Sequence, residues 1–497
     1  MPMTNALTHR RIFIIHGVKG RRSKVKGQKK KYKHMKRLII TLNLLLAIAG
    51  HLFGQAVNKP NILLFFIDDM GWKDLGSYGG DFAETPVADK LAADGMRFTN
   101  AYAAPTCSPT RVSLISGKNP TRHGVWEVIG VVDRPYAKMK SPPKERELKE
   151  GILTYADILN KQGYVCGSVG KWHAGRSPQA HGFIPIPEEI EDPILQEYAE
   201  INHDRDVGEI TAKAIEFIRD NKDQPFVISV NHVAVHAPLY AREDLIKKYQ
   251  QKLWRTGIIN VHPTYAAMIE MVDESLGMLL NELEVLGLTE NTVVILYSDN
   301  GGLISDMYLT VPTPLAGTLA PLRGQKGSLY EGGIRVPFIV KWPGKVSPGS
   351  VSHEMMNSYD LFSTFVEIGG GKIPDLQETD GISLVPILKG EEEKLDREAL
   401  YWHFPTNQWT RTPMGAIRKG DYKLIEHFET GELELFNLKE DIGETINLVN
   451  RRPEKARELF EDMEAWRKSL NAPMPVPNPD YDPVREKELG RHRFLGN

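Results

Sequence analysis

Asn61-Ile62-Leu63-Leu64-Phe65-Phe66-Ile67-Asp68-Asp69 is a continuous apolar run stopped by two carboxylates. An uninterrupted run of this kind reads as a strand buried on both faces, as in a parallel sheet. The pattern recurs. Residues 164–169 lead into Gly170-Lys171-Trp172-His173, and residues 226–230 into Asn231-His232 and then His236-Ala237-Pro238. Residues 292–297 lead into Ser298-Asp299-Asn300-Gly301-Gly302. Helical spacing occupies 86–95, 154–163, 206–221 and 265–287. Strand and helix in alternation predict an α/β fold: a large, mostly parallel sheet sandwiched by helices. Ligands in such sheets gather at the carboxyl ends of the strands. One polar cluster at a strand end can be a plain loop; four at equivalent ends form a site.

The texture changes near residue 375. Short segments at 399–404, 415–418, 422–426 and 433–437 are punctuated by turns such as Lys419-Gly420-Asp421, predicting a smaller C-terminal antiparallel sheet. Residues 453–469 have helical spacing in Ala456, Leu459, Phe460, Met463 and Trp466 and are expected to pack on it. The Pro-rich tail from 472 to 483 is expected to run extended over the surface. The expected division is therefore 1–55, 56–375 for the α/β catalytic domain, and 376–497 for the antiparallel subdomain with helix and tail.

Residues 1–55 read as the front end of an exported protein. The first acidic residue of the chain is Asp68, and a basic stretch runs from Arg21 through Lys31 to Lys36-Arg37. The apolar residues 38–49 follow, too short to span a bilayer, and read as a signal peptide whose true start is Met35. A nucleic-acid-binding arm is the other reading of the lysine run. The first 55 residues hold 13 of the 62 Lys and Arg, which leaves 49 basic against 64 acidic residues, or −15, in the mature chain. A chain this acidic does not coat polyanions, so an anionic substrate would need a local cluster of cations, and no nucleic-acid partner is expected. Two cysteines in 497 residues exclude a disulfide framework. Cys166 reads as a buried strand thiol.

Asp68, Asp69, Asp299 and Asn300 are oxygen donors, which select a hard cation, Ca²⁺ or Mg²⁺, over zinc. A single Asp pair would equally serve as a helix cap with solvated charge. Cys107 stands in Pro105-Thr106-Cys107-Ser108-Pro109-Thr110-Arg111. Ser108 suits an N-cap, Pro109 the first helical position and Gly117 the end, which places residue 107 where amide N–H groups favour negative charge. Arg111, one turn on, can offer a bidentate fork to an oxyanion. A buried structural cysteine is the bland reading. Lys171, His173, His236 and Lys326 complete the candidate cations. His232 reads as a structural or supporting residue, and His123 as a neighbour of Cys107.

Cys107-Ser108-Pro109-Thr110-Arg111 also resembles the Cys-x-Pro-x-Arg signature of type I sulfatases, members of the alkaline phosphatase superfamily. Leu114, Gly117 and His123-Gly124 continue the likeness, with Lys118 where arginine is common. Gly170-Lys171-Trp172-His173 resembles a second signature, with Ala174 for the more usual leucine, and His236-Ala237-Pro238 a third. Lys326-Gly327 with Glu331-Gly332-Gly333 resembles the family's Lys-Gly…Glu-Gly-Gly segment. The resemblance spans about residues 58–470. It implies that a maturation enzyme oxidises Cys107 to formylglycine, whose diol completes a metal site of Asp68, Asp69, Asp299 and Asn300. It implies Ca²⁺ in preference to Mg²⁺, and a periplasmic or secreted bacterial enzyme. One diol hydroxyl would attack sulfur while Arg111, Lys171 and Lys326 hold the sulfate. His236 or Lys326 would protonate the leaving oxygen, and His173 would assist release.

A sulfated glycan is the expected substrate, with 233–248 resembling galactose- or N-acetylgalactosamine-directed members. Residues 125–132 and Tyr401-Trp402-His403-Phe404 could line a sugar subsite or simply pack the core. The rival readings are a phosphonate monoester or phosphodiester hydrolase of the same superfamily, and a non-catalytic glycan-binding protein.

Overall fold

A computed structural model describes residues 59–131, 133–256, 261–304, 319–407 and 412–488. The basic run and apolar stretch of residues 1–55 lie outside the described residues.

The four expected strands form at β1 (Asn61–Ile67), β3 (Val165–Gly170), β4 (Phe226–His232) and β5 (Thr292–Ser298), and three short unforeseen ones join them: β2 (Met96–Phe98), β6 (Phe338–Lys341) and β7 (Ser350–Ser352). They make one seven-stranded sheet in the order β3-β4-β1-β5-β6-β2-β7. β3, β4, β1 and β5 run parallel, whereas β6 is antiparallel to both of its neighbours. Every residue of β1, β4 and β5 is buried. Alternate side chains of β1 serve opposite faces, as strand geometry requires. Leu63, Phe65 and Ile67 join the core under α1 (Pro86–Asp94), α3 (Val207–Asp220) and α4 (Pro263–Val285). Ile62, Leu64 and Phe66 join the core under α2 (Cys107–Ser116) and α5 (Asp360–Ile368). Both faces are apolar because helices cover both.

Register aligns the strand ends. Ile67 of β1 lies opposite His232 on one side and Ser298 on the other. The residues that follow, Asp68 and Asp299, therefore leave adjacent strands at the same level.

The second sheet is a four-stranded antiparallel meander: β8 (Ala399–Phe404), β9 (Met414–Lys419), β10 (Tyr422–His427) and β11 (Glu432–Asn437). Its inner face, with Leu400, Trp402, Phe404, Ala416, Ile425 and Phe436, shares one apolar cluster with Tyr102, Leu329 and Ile334 of the larger body. Its outer face, with Ile417, Leu424 and Leu435, packs on Ala456, Leu459 and Met463 of α6 (Pro453–Ser469). The aromatics of β8 have structural contacts. Trp402 is buried and its Nε1–H donates to the Ala103 carbonyl at 3.0 Å. Tyr401 stacks on Trp466 at 4.8 Å.

The tail does more than lie on the surface. Val476–Pro477 pairs with Met139–Lys140, and Asn478 Nδ2 donates to the carbonyls of Pro135 and Ala137 at 2.9 and 2.8 Å. The Arg485 guanidinium sits 3.6 Å from the Tyr136 ring centroid.

Ile417→Ala removes a fully buried side chain between the second sheet and α6. It is expected to cost about 2–5 kcal/mol in urea unfolding and to leave specific activity per folded molecule unchanged.

Candidate active site

Adjacent strand ends bring four oxygen-bearing side chains together. Asp69 N–H donates to Asp299 Oδ1 at 3.2 Å, and Asn300 Nδ2 donates to Asp69 Oδ1 at 2.7 Å. Asp69 has φ 63°, a left-handed conformation that is costly for a side-chain-bearing residue. The turn is held from outside. Tyr265 hydroxyl donates to Asp74 Oδ2 at 2.6 Å, and the same carboxylate oxygen accepts from Gly71 N–H at 2.6 Å. Ser298 Oγ accepts from Met70 N–H at 3.1 Å.

Each carboxylate has its own cation. Lys171 Nζ bonds Asp68 Oδ2, and Lys326 Nζ bonds Asp69 Oδ1 at 2.6 Å. Arg111 grips Asp299 Oδ2 through Nε at 3.0 Å and Nη2 at 2.8 Å, and donates through Nη1 to the Lys171 carbonyl at 2.6 Å. Its guanidinium also lies 4.7 Å from the Phe66 ring centroid. The fork expected to face an oxyanion is thus closed on Asp299. His236 Nε2 stands 3.8 Å from Asp69 Oδ2, and His173 Nδ1 lies 3.3 Å from Cys107 Sγ.

The electrostatics follow from this pairing. Burial would raise the Asp68 carboxyl, but Lys171, with His236, Lys326 and Arg111, holds it well below the usual carboxylate range. Burial and the neighbouring Asp68 charge push Asp299 up against the pull of Arg111. Burial opposes ionisation of the Cys107 thiol as well, and Lys171, His173 and Lys326 overcome it, so the thiol falls well below its ordinary range. Lys326 stays protonated despite burial because Asp69 faces it. Burial and Lys326 lower His236, which favours the neutral imidazole in the unliganded site.

Asp68 Oδ1, Asp69 Oδ2 and Asn300 Oδ1 are buried oxygens without a hydrogen-bond partner among the described residues. Ligand atoms of Asp68, Cys107 and Asp299 lie within 4.8 Å of one another, as do those of Asp68, Asp69 and His236. Orphaned buried oxygens are costly unless something binds them. Two such carboxylate oxygens and an amide oxygen, beside Asp299, fit a hard divalent cation.

Cys107 is 1% exposed and opens α2. The helix starts two residues earlier than expected. Thr106 holds the N-cap position in extended conformation, and Ser108 Oγ instead accepts from Ile129 N–H at 3.1 Å. Gly117 ends the helix at φ 70°, as expected. Val128 and Leu303 pack with Cys107, and Ala237 borders them. Sequence reasoning missed Leu303, an apolar residue in a glycine-rich loop; its place directly after Gly301-Gly302 was the available signal. His123 does not bond Cys107: its Nδ1 accepts from Val125 N–H at 3.1 Å and its Nε2 meets Ser113 Oγ at 3.0 Å. His232 is buried with Nε2 2.9 Å from Ser275 Oγ, a supporting position. Val125 and Trp126 are buried core.

Residues 60–371 match the family model described as Sulfatase. The chain belongs to the sulfatase family. Residues 325–470 match a second model, N-sulphoglucosamine sulphohydrolase, C-terminal. This sulfatase is 31% identical to a "Sulfatase" of Formosa agariphila, over 87% of this chain and 94% of that one. It is 32% identical to mouse (Mus musculus) N-acetylgalactosamine-6-sulfatase, over 77% of this chain and 75% of the relative. Among solved structures, the PsFucS1 sulfatase from Pseudoalteromonas sp. matches with TM-score 0.65 and 25% identity, covering 88% of this chain and 94% of that one.

Three buried histidines are expected to make this sulfatase acid-sensitive. Burial lowers His123 and His232 to about 3 and His403 to about 4 from an ordinary 6.5. The unfolded chain takes up these protons below pH 6.5 and the folded chain does not. Their contribution to stability is complete above that pH and is lost as pH falls toward 3, by up to about 1.4 kcal/mol per histidine per pH unit. The urea midpoint is expected to drop steadily from pH 6.5 to 4; a midpoint flat over that range would refute the assignment.

Proposed function

We propose that this sulfatase hydrolyses the sulfate ester of a galactose or N-acetylgalactosamine unit, with Cys107 matured to formylglycine and Ca²⁺ held by Asp68, Asp69, Asp299 and Asn300. The observation that carries this reading is the set of orphaned oxygens of Asp68, Asp69 and Asn300 beside Cys107, ringed by Lys171, His173, His236 and Lys326. The mammalian N-acetylgalactosamine-6-sulfatase relatives support the sugar class.

Sulfate esters resist hydrolysis because their oxygens repel a nucleophile. When bound, the cation and the hydrated aldehyde supply a Lewis acid and a hydroxyl nucleophile whose partner hydroxyl permits release of sulfate. The chain's own residues do the rest. Lys171 and Lys326 place fixed positive charge where the sulfonyl oxygens enter. Arg111, spent on Asp299 and the Lys171 carbonyl, positions a metal ligand and a sulfate-binding lysine. His173 Nδ1, at contact distance from the side chain of residue 107, takes and returns the nucleophile's proton. His236 is neutral in the unliganded site, and the negative charge of bound sulfate favours its protonation. It then donates from Nε2 to the departing sugar oxygen. Val128, Leu303 and Ala237 keep water from the floor of the pocket.

Export through residues 1–55 to the periplasm or medium belongs to the same proposal. Among the described residues no helix is long and apolar enough to cross a membrane.

Cys107→Ala is expected to lower turnover of nitrophenyl sulfate by about three orders of magnitude or more, with melting temperature little changed. Lys326→Ala is expected to cost about 10²–10³ in kcat. Chelation should remove activity and lower the melting temperature, with Ca²⁺ restoring both better than Mg²⁺. A panel of sulfated mono- and oligosaccharides, run beside nitrophenyl phosphonate esters, tests the substrate. Faster phosphonate than sulfate cleavage would overturn the ester class, and turnover restricted to sulfated glucosamine would overturn the sugar.

A further inference from the structure

Buried charge collects at a second place, between the two sheets. Lys423, on the inner face of β10, has a fully buried side chain and bonds Glu331 Oε1 at 2.8 Å and Glu444 Oε1 at 2.9 Å, both carboxylates also fully buried. Glu331 Oε2 accepts from Arg335 Nε at 2.6 Å and from the Tyr102 hydroxyl at 2.7 Å. Glu444 Oε2 accepts from Glu331 N–H at 2.7 Å. Arg418 of β9 bonds the Tyr102 hydroxyl from the same side.

Burying this many charges is expensive, and well-packed apolar side chains would often serve stability as well. What the cluster holds explains its presence. Glu331 opens the turn Glu331–Ile334. The next two residues are glycines, so packing of their side chains cannot fix the turn, and the Glu331 carboxylate is its handle. The Gly333 carbonyl accepts from Gly301 N–H at 3.0 Å, and a Cβ on Gly301 would lie 1.9 Å from the Gly332 oxygen. Lys326 N–H donates to the Gly302 carbonyl at 3.0 Å, and Gly327 N–H to the Pro105 carbonyl at 2.6 Å. Ala103 N–H donates to the Ile334 carbonyl at 2.9 Å. One anchored turn therefore supports the backbone of Asn300, Lys326 and the segment leading into Cys107.

We infer that Lys423 is a positioning residue of the sulfatase site: through Glu331 it fixes the turn on which Lys326 and Asn300 are mounted. Lys423 thereby supports the site from the second sheet, although it touches none of the reacting atoms. The inference rests on the roles proposed above for Lys326 and Asn300.

The test compares Lys423→Met with Ile417→Ala, which weakens the same sheet from its opposite face. Hydrogen–deuterium exchange of peptides covering 299–304 and 323–336 is measured on full-length protein, beside nitrophenyl sulfate kinetics corrected for folded fraction. Lys423→Met is expected to speed exchange in both peptides about tenfold and to lower kcat about tenfold, with a smaller change in KM. Ile417→Ala is expected to change neither. Exchange at wild-type rates in Lys423→Met, or a kcat loss no larger than that of Ile417→Ala, overturns the inference. The double variant Lys423→Met/Glu444→Gln removes one charge of each sign and replaces the single variant where that does not fold, with the same two outcomes. Exchange does not depend on turnover, so failure of the proposed chemistry would leave this result standing.

Discussion

Three buried carboxylates crowd the carboxyl ends of two neighbouring strands. Asp68 and Asp69 follow β1 and Asp299 follows β5, at one level because the parallel register pairs Ile67 with Ser298. Like charges at that spacing in a poorly screened interior repel strongly. Lys171 answers Asp68, Lys326 answers Asp69 and Arg111 answers Asp299, the lysines from two different loops and the arginine from α2. The fold around the site is the scaffolding that delivers these three side chains. Lys171 and Lys326, with His173, also depress the Cys107 thiol, so the cations that relieve the carboxylates' repulsion favour negative charge at residue 107 as well.

Sequence patterns revealed the parts of this that burial dictates. β1, β4 and β5 are buried on both faces, and their unbroken apolar runs could hardly be anything else. The turn-punctuated segments of the second sheet and the stripe on α6 were equally plain. The short strands β2, β6 and β7 carried too few residues to show a period, and the antiparallel insertion of β6 left no local trace. Tyr401–Phe404 was ambiguous because aromatic residues suit a half-buried strand and a sugar platform alike.

Residue types at the site were legible, whereas their pairings were not. Arg111 looks like an anion-binding fork in sequence, and only the fold shows that its fork is occupied by Asp299. Lys423 and Arg418 occupy strand positions where a charged residue ordinarily signals the solvent face. Here they point inward, because buried glutamates and a tyrosine hydroxyl await them. Partners distant in the chain and unlike in character are what one-dimensional pattern cannot report.

The strand at Val476–Pro477 clasps the stretch that begins with the pocket wall at Val128 and continues through Pro135–Lys140. This short C-terminal strand is thus a buckle on the wall beside Cys107. Cleavage by a protease near residue 475, or a bulky fusion pulling on Asn478, would slacken that wall while the sheet beneath stayed folded. Such damage would surface first as altered selectivity among substrates, well before any loss of solubility.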